Sequence, residues 1–166
     1  DHGGTRHSNT LYEELVRVPL VIRGPGIRRH RVGEVVRSID LAPTILRACG
    51  LKVPPSMGGI DLRDRAALMK RNAVFGAAYD HDIHDVSKPN LSVQTRFVVA
   101  DTWKLLSHRQ GTAQGKPVEL YNLSVDPAEM QNLAARHPEG VAHAGLAQPS
   151  GDDVGGGRGR RVGPGR

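Results

Sequence analysis

Four short runs between residues 72 and 123, "NAVFGAAY", "TRFVVAD", "WKLLSH" and "VELYNL", constrain the fold more than any other feature of the chain. Each is rich in β-branched, aromatic or aliphatic residues and is bounded by turn-forming material, which predicts a small antiparallel sheet. Asp101 and Thr102 read as the turn of a hairpin between the second run and the third. After the sheet, "DPAEMQNLAARHP" places Asp126 at an N-cap, Pro127 at the first helical position and Glu129 at the third, so a closing helix is expected to pack on it.

The first third of the chain has a different grammar. Thr10 and Glu13 have the spacing of a capping box, and Leu11, Leu15 and Val16 supply the apolar side of a short helix. That helix should end by Val18, because the residue before Pro19 is pushed into extended geometry. The continuous apolar run "PLVIR", closed by Gly24-Pro25-Gly26, predicts a strand buried on both faces. An extended "EVVRS" then leads into "SIDLAPTILRACG", where Asp40 can cap, Pro43 fits the first turn and Gly50 provides a left-handed stop. Strand, loop and helix in this order favour an α/β layer.

Four segments are therefore expected: an α/β piece over 1–53, a polar connector over 54–71, a sheet-and-helix unit over 72–139, and a Gly-, Ala- and Arg-rich tail over 140–166 without periodicity and hence without fixed structure. No internal repeat is present. With 166 residues and 38% hydrophobic content the chain suits one domain or one piece of a larger one. No apolar run approaches the roughly 20 residues of a bilayer span, so no membrane partner is expected. Cys49 is the only cysteine, which excludes an intrachain disulfide and a thiolate metal cluster, and it reads as a small buried apolar residue.

The net charge of +6 raises the question of an anionic partner. Much of it is local: Arg28, Arg29, His30 and Arg31 form one run, and Arg158, Arg160, Arg161 and Arg166 outweigh Asp152 and Asp153 in the tail. The closing "GGGRGRRVGPGR" has no aromatic residue on which a base could stack, so a solvated linker is the expectation and nucleic acid is not.

Two clusters carry chemistry-bearing side chains. The first is Asp1 and His2, an acid and an imidazole followed by Gly3-Gly4, a pattern that suits a metal or acid/base site. The second is "YDHDIHD", with Asp80, His81, Asp82, His84 and Asp85; on a strand His81 and His84 would face opposite ways, so a polar loop is expected. Glu13 and Arg17 lie four apart on one helix and read as an ion pair. Trp103 and Lys104 read as seating the second hairpin strand, with the lysine at the wet edge.

Taken in order, "DHG", "TLYEELVRVPLVIRGPGI", "SIDLAPTILRACGL", "GIDL", the "WKLL" strand and "ELYNLSVDPAEMQNLA" resemble the C-terminal part of an arylsulfatase-type enzyme of the alkaline-phosphatase-like superfamily, over Asp1 to about Pro138. The resemblance implies an α/β fold: the C-terminal fragment of an alkaline-phosphatase-like fold, with a small antiparallel sheet plus a C-terminal helix as a subdomain. It implies sulfuric ester hydrolysis by a formylglycine nucleophile and a divalent cation, usually Ca²⁺, which Asp1 and His2 match as ligands. Chemically, Asp1 offers the hard oxygen that Ca²⁺ prefers, whereas an imidazole is a less typical partner. Members carry the formylglycine precursor in a C-x-P-S-R or S-x-P-x-R stretch, and this chain contains neither. The nucleophile, the early aspartate pair, and the mid-chain histidines and lysine therefore belong to an N-terminal half that this polypeptide does not contain. The chain alone is expected to be inert and to bind Ca²⁺ weakly.

The resemblance also implies substrate contacts. Relatives usually have a glycine-lysine pair where His7 and Ser8 stand, and that lysine holds the sulfate; a serine supplies a hydroxyl without the charge. His81 would approach the mouth of the pocket. Two other readings stand beside sulfate-ester hydrolysis: phosphodiester or phosphonate hydrolysis within the same superfamily, and a non-catalytic, degenerate remnant using its sheet for interaction.

Overall fold

The computed structural model describes residues 2, 10–80, 82, 85–109 and 118–146. The four predicted runs become β1 (Ala73–Tyr79), β2 (Val93–Ala100), β3 (Trp103–His108) and β4 (Val118–Asn122). They form one antiparallel sheet in the order β1-β2-β3-β4. The β2–β3 hairpin turns at Asp101 and Thr102, with Asp101 in the left-handed region (φ 52°). Its register pairs Thr95 with His108, Phe97 with Leu106 and Val99 with Lys104.

Alternation along the strands sorts their residues onto two faces. One face carries Val98, Leu105 and Leu120, which form an apolar core with Phe75, Trp103, Ala134 and Val141 around it. Burying each of these three aliphatic side chains stabilises the fold by about 1.5–3 kcal/mol. Helix α4 (Pro138–Leu146) packs on this face. Gly140 permits the close approach, since a Cβ there would stand 2.8 Å from Leu120 Cδ2.

The helix that seals the sheet is not the one predicted. Residues 126–137 form a chain of turns, and α4 begins at Pro138 and runs into the stretch expected to lack structure from Gly140 onward. The cause lies at Asp126 and Glu129. The Asp126 carboxylate accepts from the N–H groups of Met130 and Gln131 at 3.0 and 2.9 Å, closing a local loop. Glu129 has a left-handed backbone (φ 56°), which no α-helix can continue through.

Helix α1 (Glu13–Val16) lies over the other face of the sheet and is a single turn. Its N-cap is Tyr12, and no side chain caps it. The predicted capping box does not form, because Glu13 reaches the sheet and its Oε1 pairs with Lys104 Nζ at 2.9 Å. The same contact replaces the predicted Glu13–Arg17 pair. "PLVIR" is extended but has no ladder partner among the described residues, and Val21 is 91% exposed. A strand needs a neighbour to take its N–H and C=O groups, and no described strand lies beside it. The "EVVRS" stretch is likewise extended without pairing.

The "SIDLAPT" segment builds a compact knot. A short 3₁₀ turn (Ser38–Asp40) leads into α2 (Leu41–Ala48), with Pro43 in its first turn and Gly50 (φ 73°) after it, as expected. Asp40 is fully buried, and its two carboxylate oxygens accept from Arg37 N–H, Ile60 N–H and both Arg71 terminal nitrogens at 2.7–2.8 Å. Thr44 Oγ1 donates to Asp40 O at 2.6 Å and accepts from Leu62 N–H at 2.8 Å, so "SIDLAPT" and "GIDL" are stitched together. Gly59 (φ 97°) makes this possible, because a Cβ there would fall 2.4 Å from Ile39 O. The connector continues through α3 (Arg65–Met69), whose first turn is capped by the Asp64 carboxylate accepting from Ala67 N–H. Cys49, expected to be buried, is exposed at the end of α2.

Candidate functional site

The sheet face beneath α1 is polar, which is unusual for an interior surface and marks it as the place to look. Lys104, expected at the wet edge, has no solvent exposure. Its ammonium sits between two carboxylates, Glu13 Oε1 and Glu129 Oε1, each at 2.9 Å. Glu129 Oε2 also accepts from the backbone N–H of Glu13. The Lys104 ammonium also sits over the Phe97 ring, 5.4 Å from its centroid. Phe97 can fold across the sheet because residue 76 is glycine; a Cβ there would be 2.5 Å from the ring. Burial drives the Glu129 carboxyl above the usual carboxylate range, with repulsion from Glu13 adding to it and the bonds from Glu13 N–H and Lys104 opposing it.

Beside this ion triad lies a second network centred on Glu119, which is 3% exposed. Its Oε2 accepts from Tyr121 OH at 2.6 Å and from Tyr12 OH at 2.9 Å. His108 Nε2 approaches Glu119 Oε1 at 3.3 Å, while His108 Nδ1 pairs with Thr95 Oγ1 at 3.0 Å. Burial and the acceptor Glu119 both resist ionisation of the tyrosines, pushing Tyr12 up to about 12 and Tyr121 higher still.

Of the predicted site residues, His2 is described, and it docks at the rim of these networks. Its ring stacks on Tyr12 with centroids 3.7 Å apart and planes 7° from parallel. Nε2 lies 3.1 Å from the Glu129 carbonyl, and because a carbonyl oxygen only accepts, Nε2 carries the proton. In the neutral ring Nδ1 then carries the lone pair. That atom is buried and has no hydrogen-bond partner among the described residues, with Glu14 Oε1 at 3.4 Å. His2, Glu14, Pro127, Ala128 and Glu129 line a shallow cavity of about 250 Å³. A half-buried imidazole whose Nδ1 faces the Glu14 carboxylate at 3.4 Å fits one position of a metal shell. No group of three or more metal-ligating side chains converges among the described residues, so the remaining ligands would have to come from elsewhere.

Asp1, His7, Ser8 and His81 lie outside the described residues. The "YDHDIHD" stretch begins on Tyr79, the last residue of β1, and its other described positions, Asp80, Asp82 and Asp85, are not in a strand. Asp80 accepts from Gln94 Nε2, and Asp85 accepts from Ser87 N–H and Oγ at 2.9 and 2.6 Å, so both carboxylates serve the loop.

Sequence reasoning missed Lys104, Glu119 and Glu129. For the first two a signal existed: each occupies an inward position in the period-two pattern of its strand, where a charge requires a partner. For Glu129 the signal pointed the wrong way, since Asp-Pro-x-Glu reads as a helix start.

Residues 4–146 match the family described as N-sulphoglucosamine sulphohydrolase, C-terminal. The chain belongs to the N-sulphoglucosamine sulphohydrolase C-terminal family. The match ends at the last residue of α4 and takes in the Asp40 knot, the sheet and the Glu129 turn. Among relatives of this sulphohydrolase region, mouse arylsulfatase K is 30% identical over 136 residues, covering 78% of this chain and 24% of its own length. Human arylsulfatase K is 29% identical over 140 residues, with the same coverage of 78% and 24%. The chain thus spans about a quarter of the length of these relatives. A crystal structure of a candidate sulfatase from Bacteroides thetaiotaomicron superposes with a TM-score of 0.64 at 24% identity, over 87% of this chain and 31% of that one. The fold is that of the C-terminal part of a sulfatase in the alkaline-phosphatase-like class, as the motif order implied.

Proposed function

We propose that the protein to which this C-terminal region belongs hydrolyses sulfate esters, and that this chain alone does not. The match of residues 4–146 to a sulphohydrolase family carries the reading. The phosphodiester or phosphonate alternative is not favoured, because the family and the relatives named above are sulphohydrolases and arylsulfatases. The substrate class is a sulfated sugar or small molecule. That choice is supported by the family's description, which names a glucosamine carrying an N-linked sulfo group.

In this reading Asp1 and His2 would hold a divalent cation, Ca²⁺ by analogy with the family, and His7, Ser8 and His81 would face the substrate. When bound, the cation supplies positive charge against the sulfate oxygens. The chain's own contribution is to hold His2. Tyr12 stacks on the ring, the Glu129 carbonyl accepts a hydrogen bond from Nε2–H, and the buried Nδ1 faces the Glu14 carboxylate. The nucleophile is not in this chain, which has no formylglycine-precursor stretch.

The test is direct. The purified chain should release no sulfate from an aryl sulfate, and turnover with this polypeptide as sole protein would refute the division of labour. A longer form carrying an upstream formylglycine motif should release sulfate from an aryl sulfate or from a sulfated glucosamine. If that form cleaved only a phosphonate monoester, the sulfatase reading would be wrong.

A further inference from the structure

Arginines in the connector meet carboxylates: Arg71 pairs with Asp40, Arg63 with Asp61, and Arg65 lies 3.9 Å from Glu34. Arg17, Arg23, Arg28, Arg29 and Arg31 do not. All five are exposed, and none makes an ion pair among the described residues. They fall within one stretch, since the sequence from Leu15 to Gly33 holds these five arginines, His30 and no acid. Neighbouring cations repel one another, and an anionic partner relieves a repulsion that no side chain of the stretch itself relieves.

Local geometry shapes the run before any partner arrives. Pro25 and Gly26 (φ 75°) form the centre of a turn closed by Ile27 N–H donating to Gly24 O at 3.2 Å, with Arg23 before it and Arg28 after it. His30 Nδ1 donates to Arg28 O at 2.7 Å across a bend at Arg29. Backbone ordered in advance has less freedom to lose on binding.

We propose that Arg17, Arg23 and the Arg28–Arg31 run form a docking surface for a sulfated polysaccharide. The choice of a sulfated sugar polymer rests on the sulfatase reading; the cationic surface does not. A sulfate half-ester presents several oxygens to the planar fork of N–H donors on a guanidinium, which an ammonium cannot match. A polymer carries many such groups along one chain and spans consecutive arginines. Single-stranded nucleic acid shares the charge but also needs aromatic side chains for its bases, and no Phe, Trp or Tyr stands between Glu13 and Val36.

The test measures binding of the full chain to heparin, a densely sulfated polysaccharide, and to an oligothymidylate, over a series of salt concentrations. The chain should bind heparin more tightly than the oligonucleotide, with affinity falling as salt rises. A chain carrying Arg28→Ser, Arg29→Ser and Arg31→Ser together should bind heparin about tenfold more weakly, each exposed charge contributing modestly, and should show a flatter salt dependence. Its urea midpoint should hold, because the three side chains are exposed and unpaired among the described residues. Arg28→Lys, Arg29→Lys and Arg31→Lys together keep the charge without the fork and should fall between the two. Arg158→Ser, Arg160→Ser and Arg161→Ser in the tail should have the smaller effect. Unchanged heparin affinity in the folded Arg28–Arg31 variant would overturn the proposal, as would a larger loss from the tail variant or equal affinity for the oligonucleotide. If heparin binding ignores the run while the intact protein releases sulfate from an aryl sulfate, the docking surface fails and the sulfatase reading stands. Binding through the run in a protein whose intact form cleaves only a phosphonate monoester would refute the sulfatase reading and leave the surface assigned.

Discussion

Asp40 shows how one buried carboxylate can organise about a fifth of this chain, from Arg37 to Arg71. Burial alone would raise its pKa, but the Arg71 guanidinium and the N–H groups of Arg37 and Ile60 outweigh burial and hold the carboxyl below the usual range. A depressed carboxylate contributes stability that is present above its unfolded pKa of about 4 and is lost as pH falls through the lower folded value. Replacing Arg71 removes the counter-charge and leaves a buried anion. Arg71→Met should therefore cost about 3–5 kcal/mol in urea unfolding at neutral pH. It should also flatten the acid side of the stability profile, because its Asp40 would no longer be depressed. An Arg71→Met chain with an unchanged urea midpoint would show that the knot is held by other contacts. The requirement at Gly59 is of the same local kind, since the Ile39 carbonyl occupies the space a side chain would need.

Among the elements, the polar face of the sheet is the part whose behaviour is least like an ordinary core. Two tyrosines, Tyr12 from the start of α1 and Tyr121 from β4, donate to one carboxylate, Glu119, with Glu129 nearby and His108 on the opposite oxygen. Each tyrosine is raised above its ordinary value of 10.0, chiefly by burial and then by Glu119. A raised tyrosine contributes stability that is fully present below the unfolded pKa and lost as pH rises toward the folded value. The chain should hold its stability up to about pH 10 and lose it steeply over the next two units, followed by circular dichroism and tyrosinate absorbance. Tyr12→Phe should cost about 1 kcal/mol near neutral pH and make the alkaline loss shallower. Equal slopes in the two proteins would mean that Tyr12 ionises as freely folded as unfolded.

Across the whole molecule, apolar surface is unevenly covered. The four-stranded sheet is closed on one side by α4, with Leu120 fully buried, whereas Val18 and Val21 stand out in solvent ahead of it. Stability therefore resides in the sheet with α4 and in the Asp40 knot, and the extended segment adds little to it. Leu120→Ala should cost about 2–5 kcal/mol by leaving a cavity. Val21→Asp should change the urea midpoint by no more than about 0.5 kcal/mol equivalent. A large loss from Val21→Asp would mean that the segment is packed within the chain after all.

What could be read from the residues in order was whatever depends on neighbours in the chain. The four strands, the Asp101–Thr102 turn, the Gly50 stop and the family resemblance all rest on periodicity or on short motifs whose meaning is local. The errors share one cause. Lys104 was assigned to water, Glu13 to Arg17, and Glu129 to a helix, because each was judged by its near neighbours. In the folded chain the three meet each other across separations of 25 to 116 residues, a pairing no short-range rule encodes. "PLVIR" failed for the complementary reason, since its apolar pattern calls for flanking strands that the described residues do not supply. A buried ion triad exists only once the sheet, the turn and the first helix have closed around it, so its geometry, and with it the orientation of His2, was decided by the tertiary structure.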